Sequence, residues 1–206
     1  MLAAAILETE QWQKAGQLTP PEGWSPKSYA RAETNFVRGF AAAMQGNNEE
    51  AKKHLVELKT IREKGFRENY FKRPESLQVW ELEIQVAIKL HQRDYDAAIQ
   101  LAKQATLVEE KLPAPSGPPR ILKPTYELLG EVYLQADKPI QAQEQFAISL
   151  QRHRNRIRSL VGAARAARAS GDKSTAKETY ERLLSQLKNA DPGFPELAEA
   201  KRYLNE

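Results

Sequence analysis

Cysteine is absent from the 206 residues, which excludes disulfides, a thiolate zinc site and a cysteine nucleophile while leaving the compartment open. No stretch reaches the roughly 18 apolar residues of a membrane span. The opening MLAAAIL carries only seven apolar or start residues and no basic lead, short of a signal peptide. The expectation is a soluble chain with no membrane insertion, cytoplasmic unless it is cut from a longer precursor, and then periplasmic or exported. Glycine is scarce, at 10 residues, and none forms a phosphate-cradling loop or a G-x-S-x-G elbow; SGPP is too short for the task. The three histidines, His54, His91 and His153, lack the i, i+4 spacing of a helical metal site. Neither catalysis, nor a metal, nor a cofactor is expected.

What is present points to helix. Aliphatic and aromatic residues make up 41% and charged residues 28%, enough apolar material to bury a core and too much for a disordered chain. Alanine, leucine, glutamate, glutamine and lysine abound, so an all-α fold is expected. The net charge of +4 is uneven. Residues 1–110 carry 15 basic against 16 acidic side chains and 111–206 carry 16 against 11, so a basic surface belongs to the second half.

An internal repeat emerges when YELLGEVYLQADKPIQAQEQF is set against LVGAARAARASGDKSTAKETY at an offset of 34 residues. Tyr126, Leu129, Gly130 and Tyr133 fall opposite Leu160, Ala163, Ala164 and Ala167, and Ala142 and Phe146 fall opposite Ala176 and Tyr180. This pattern resembles the tetratricopeptide repeat, W-x2-L-G-x2-Y followed by A-x3-F and P. Tyr126 takes the tryptophan place, Leu129 and Gly130 take L-G, Tyr133 takes Y, and Ala142 with Phe146 take A-x3-F. Arg154 replaces the closing proline and the last unit has alanines for L-G and Y. Most of the chain is similar to the carboxy-terminal region of large bacterial tetratricopeptide proteins without an assigned activity.

The turn that precedes a small residue in GDKSTA can be followed backwards to GNNEEA, RDYDAA and EQWQKA. Its anchors, Ala15, Ala51, Ala98, Ala142 and Ala176, lie 36, 47, 44 and 34 residues apart. The excesses fall between repeats, in KGFRENYFKRPES (64–76) and in the proline-rich LPAPSGPPRILKP (112–124). The boundaries expected are a partial repeat at 1–18, repeats at 32–62, 78–110, 123–154 and 157–188, and a capping helix at 194–204. Together they imply one right-handed α-solenoid of tetratricopeptide-like hairpins, with two long connections and a chain that starts mid-repeat. Pro124 is expected to open the helix of Tyr126–Tyr133, and the residues before it to form an ordered strap.

The resemblance implies a scaffold or adaptor that binds a protein or peptide on its concave face, which the first helix of each hairpin lines. In helical projection Arg158, Arg165 and Arg168 share about 80 degrees of arc, opposite Ala163, Ala164 and Ala167. Glu127 and Glu131 occupy the equivalent face of the preceding unit. Two readings stand: the glutamates pair with Arg158 and Arg165 between repeats, or the arginines hold a carboxylate or acidic segment of a partner. The lysine and asparagine set that clamps a chaperone carboxy-terminus is not reproduced. Nucleic acid is not the expected partner, because QRHRNRIR (151–158) sits at a helix junction and lacks interleaved aromatics. Glu49 and Glu50 at a helix start suit the helix dipole, and Glu109 with Glu110 lie at a helix end. Trp80, Ile84, Ala87 and Leu90 form a core stripe; Phe36, Phe40 and Met44 form another, for which core packing is expected ahead of an exposed peptide pocket. Trp12 is expected to pack inside the first hairpin, and Trp24 is the aromatic expected to be partly exposed. The alternative function is a structural or assembly segment of a larger protein.

Overall fold

A computed structural model describes residues 2–20, 23, 28–67, 74–112, 121–190 and 194–205, and all regular structure among them is helical. Ten α-helices follow in order: α1 (Leu2–Thr9), α2 (Tyr29–Met44), α3 (Asn48–Arg67), α4 (Glu75–His91), α5 (Tyr95–Glu109), α6 (Thr125–Gln135), α7 (Pro139–Arg152), α8 (Ile157–Ser170), α9 (Lys173–Gln186) and α10 (Pro195–Asn205). A 3-10 helix, Trp12–Gln17, follows α1. The helices divide into two compact units, Met1–Thr125 and Tyr126–Glu206. Within them, chain neighbours such as α2 with α3, α4 with α5 and α8 with α9 pack in pairs.

The turns inside these pairs share one construction. Five residues before each anchor alanine the backbone turns left-handed, at Glu10 (φ 54°), Gly46 (82°), Arg93 (57°), Asp137 (55°) and Gly171 (82°). In four of them the next N–H reaches back to end the preceding helix: Asn47 to Ala42, Asp94 to Lys89, Lys138 to Tyr133 and Asp172 to Ala167, at 2.8–3.0 Å. That bond caps the carbonyls a helix end leaves open. Each anchor alanine then donates the first bond of the second helix, from Ala51 to Asn47, Ala98 to Asp94, Ala142 to Lys138 and Ala176 to Asp172, all at 3.0 Å. All four alanines are fully buried, so a larger side chain there would separate the pair. Glu10 is the exception, since it leads into the 3-10 helix.

The first unit is built on aromatics. Trp80 of α4 is fully buried and stacks on Phe36 of α2 at 5.1 Å, with Tyr29 tilted against it at 5.0 Å. Ile84, Ala87 and Leu90 continue the buried stripe, and Phe40 is buried while Met44 is partly so. Taking each large apolar side chain out of water contributes about 2 kcal/mol. Trp12 is partly buried, its ring tilted against Phe40 of α2 at 5.7 Å. Trp24 and residues 113–120 of the expected strap lie outside the described residues. The end of that connection is fastened: the buried Glu109 Oε2, at the end of α5, accepts the Thr125 N–H at 2.9 Å and the Thr125 hydroxyl at 2.5 Å. Pro124 directly precedes the first residue of α6, as its fixed φ allows.

In the second unit the axis crossings depend on missing side chains. Phe146 of α7 is fully buried with its ring tip between Gly130 of α6 and Gly162 of α8. A Cβ on Gly130 would come within 2.8 Å of that ring, and one on Gly162 within 2.2 Å. Leu160, Val161 and Ala164 of α8 and Tyr180, Leu183 and Leu187 of α9 and its end form a core that Leu197 and Ala200 of α10 complete.

Candidate functional site

The arginine row of α8 is set by helix periodicity: Ala164 and Ala167 turn into the core, and Arg165 and Arg168 lie on the exposed side. Arg158, the second residue of α8, is 6% exposed. The carboxylates that meet these arginines come from α10. Arg158 Nη1 donates to Glu196 Oε1 at 2.8 Å. Arg165 forms a fork, with Nε 3.0 Å from Glu199 Oε1 and Nη2 2.6 Å from Glu199 Oε2. The Arg168 guanidinium lies over the Tyr203 ring at 5.7 Å, within cation–π range.

Tyr180 of α9 joins this cluster, its hydroxyl donating to Glu199 Oε1 at 2.7 Å while its ring tilts against Tyr203 at 4.7 Å. Burial, then the Glu199 hydrogen bond, pushes the Tyr180 hydroxyl well above the ordinary tyrosine range. For Glu199, burial alone acts upwards, but the hydrogen bonds from Arg165 and Tyr180 outweigh it and hold the carboxyl below its usual value. Arg165 is pushed further up, chiefly by its bond to Glu199. The cluster is charge-complementary across two helices, and its acidic half lies on one short helix.

Glu127 has a different job. Its carboxylate is fully buried, where Oε2 accepts from Arg156 Nε at 2.7 Å and from the Ser159 hydroxyl at 2.6 Å, and Oε1 accepts from Arg156 Nη2 at 3.2 Å. Ser149 and Ser159 hydroxyls pair at 2.8 Å, extending the network to α7. Glu127 is thus held by Arg156, and Arg158 and Arg165 each meet a carboxylate of α10. Glu131 is partly buried on α6. The basic run 151–158 serves as a joint, with Arg152 over Tyr126 at 5.7 Å, Arg156 on Glu127, and Asn155 Oδ1 accepting from Arg182 at 2.8 Å.

Sequence reasoning missed Glu196, Glu199, Tyr180 and Tyr203. A signal existed: Glu131, Arg165 and Glu199 stand at successive 34-residue steps, so extending the repeat offset one further unit would have placed Glu199 beside Arg165. Elsewhere, Glu49 and Glu50 lie in the first turn of α3 and pair with Lys52 and Lys53. His54 lies between Asn35 (2.8 Å) and Glu50 (3.4 Å), His91 packs under Gly46, and His153 ends α7. Among the described residues no three histidine or acidic side chains are grouped to hold a metal, and no helix is long and apolar enough to cross a membrane. Family models, curated proteins and solved structures yield no match to the chain.

Proposed function

We propose that this chain is a tetratricopeptide-like α-solenoid that acts as a scaffold or adaptor, binding a protein or peptide through the face its first-of-pair helices present, and not as an enzyme. The observation that carries the reading is the recurrence of one turn at the anchor spacing, with the left-handed residue, the capping bond and the buried alanine in the same places each time. Stacked hairpins of this kind bury a core between neighbours and leave one face of each first helix for recognition. The α8 face supports the binding role, because guanidiniums beside an apolar floor suit a carboxylate-bearing segment.

Photo-crosslinking in the source cell tests it. A benzoyl-phenylalanine placed at exposed Arg168 on α8 should yield discrete protein adducts, and one at Ile140, exposed on α7, should not; matching patterns from both positions would refute the reading. The second reading, a structural or assembly segment of a larger protein, is favoured by one observation: α10 engages Arg158, Arg165 and Arg168 from within. It is the conclusion if neither position yields an adduct.

A further inference from the structure

The surface that α10 covers is apolar in its middle and basic along its edge. Leu160, Val161 and Leu187 contribute to the floor, and Arg158, Arg165 and Arg168 form the rim. The helix seated there is its complement. Leu197, Ala200 and Leu204 stand at i, i+3 and i+7 against the floor, and the residue before each of them, Glu196, Glu199 and Tyr203, meets one arginine. The face thus reads the pattern E-L-x-E-A-x-x-Y-L from residues 196–204. Such alternation is how a groove recognises an amphipathic helix, by apolar anchors on one stripe and charge beside it.

The seat is also shallow. At 11 residues α10 is three turns long, shorter than a helix that holds its own shape in water, so its order depends on the face beneath it. Only Leu197 and Ala200 are buried, while Phe194, Tyr203 and Leu204 are partly so. The Arg158–Glu196 pair is largely buried, but the Arg165–Glu199 fork remains partly exposed to solvent. Short terminal elements with few buried contacts open far below the cost of global unfolding.

Resting on the interaction-module reading above, we propose that α10 is an exchangeable occupant of the α8–α9 face, and that the partner is a protein presenting an acidic amphipathic helix of the same pattern that takes its place. A longer helix gains the same carboxylate–arginine pairs and a wider apolar contact. The internal helix lowers the partner's apparent affinity by the fraction of time that the face is covered. Phosphate groups and extended acidic tails satisfy the rim but leave the floor open, so a helix is the form that fits.

The probe is a fluorescein-labelled peptide of residues 194–205, titrated by anisotropy against the full chain. Three chains are compared: wild type, Ala200→Pro, which breaks α10, and Glu196→Gln/Glu199→Gln, which removes its charges. Both variants should bind the peptide at least about ten-fold more tightly than wild type. Adding Arg165→Ala and Arg168→Ala should abolish that gain, and a peptide with lysine at 196 and 199 should not bind. Equal binding to all three chains, or binding to none, overturns the proposal. So does loss of hydrogen-exchange protection across 126–190 in both variants, because α8 and α9 would then depend on α10 for their own order. A wild-type dimer that becomes monomeric in Ala200→Pro assigns the face to a second copy and likewise overturns it. Adducts at position 168 that persist when the peptide fails to bind remove only this inference; loss of both removes the interaction reading beneath it.

Discussion

Two glycines and one phenyl ring decide how closely the helices of the second unit approach. Phe146 fills the space that side chains at Gly130 and Gly162 would need, and the 2.2 Å separation at Gly162 leaves a methyl nowhere to go. Gly162→Ala should therefore lower stability by about 1–3 kcal/mol through overpacking, read as a shift in the urea midpoint. Gly16→Ala is the control: nothing lies within 4 Å of the added methyl, and the change should stay within about 0.5 kcal/mol. Glu127 is the other residue on which the unit depends. Glu127→Ala leaves the Arg156 guanidinium and the Ser159 hydroxyl without their acceptor and should cost about 3 kcal/mol in urea unfolding, as breaking a buried ion pair does. Arg158, buried on Glu196, belongs with the structural residues, and binding is better probed at Arg165 and Arg168.

Between helices, the turn is the repeated unit. Glycine at Gly46 and Gly171 takes the left-handed backbone freely, whereas Arg93 and Asp137 adopt it with a side chain attached. Asp137→Gly should stabilise the second unit by about 0.5–1 kcal/mol in thermal melts, and Gly171→Ala should destabilise it by about 1 kcal/mol. The turns were legible in the sequence because a small residue at a fixed place after a break is a local signal, and the anchors at Ala51, Ala98, Ala142 and Ala176 fell where the structure has them. The partners of the arginines were legible only through the 34-residue step that sets Glu199 after Arg165. Periodicity puts Arg158 and Arg165 on one face of α8, but which neighbouring helix supplies the carboxylate depends on tertiary packing, and α10 carries charges that look like ordinary solvated ones. A pH dependence follows for α10. Glu199 lies below its usual 4.5 and faces Arg165 and Arg168 of α8 and Tyr180 of α9, with Glu196 on its own helix. A depressed carboxyl contributes stability that is present above its unfolded value and lost as pH falls through the folded one. Hydrogen exchange corrected for intrinsic rate should show α10 less protected relative to α8 at about pH 3.5 than at about pH 6.

For the whole molecule, the division into two units offers a spectroscopic handle. All three tryptophans, Trp12, Trp24 and Trp80, belong to residues 1–125, and the second unit has none. Tryptophan fluorescence thus follows the first unit while far-ultraviolet circular dichroism follows both. In Glu127→Ala the dichroism transition should move to lower urea by more than the fluorescence transition, and superimposed shifts would mean that the chain unfolds as one cooperative body. The recurrent turns were legible in the sequence, whereas the face that α8 and α9 present to α10 was not, because it is assembled by tertiary packing. The account rests on that face holding a helix through charge as well as apolar contact, and exchanging the charges tests this most directly. Arg165→Glu should strip hydrogen-exchange protection from α10, and adding Glu199→Lys should restore at least about half of it through the reversed pair. Unchanged protection in Arg165→Glu, or no recovery in the double variant, would contradict the account.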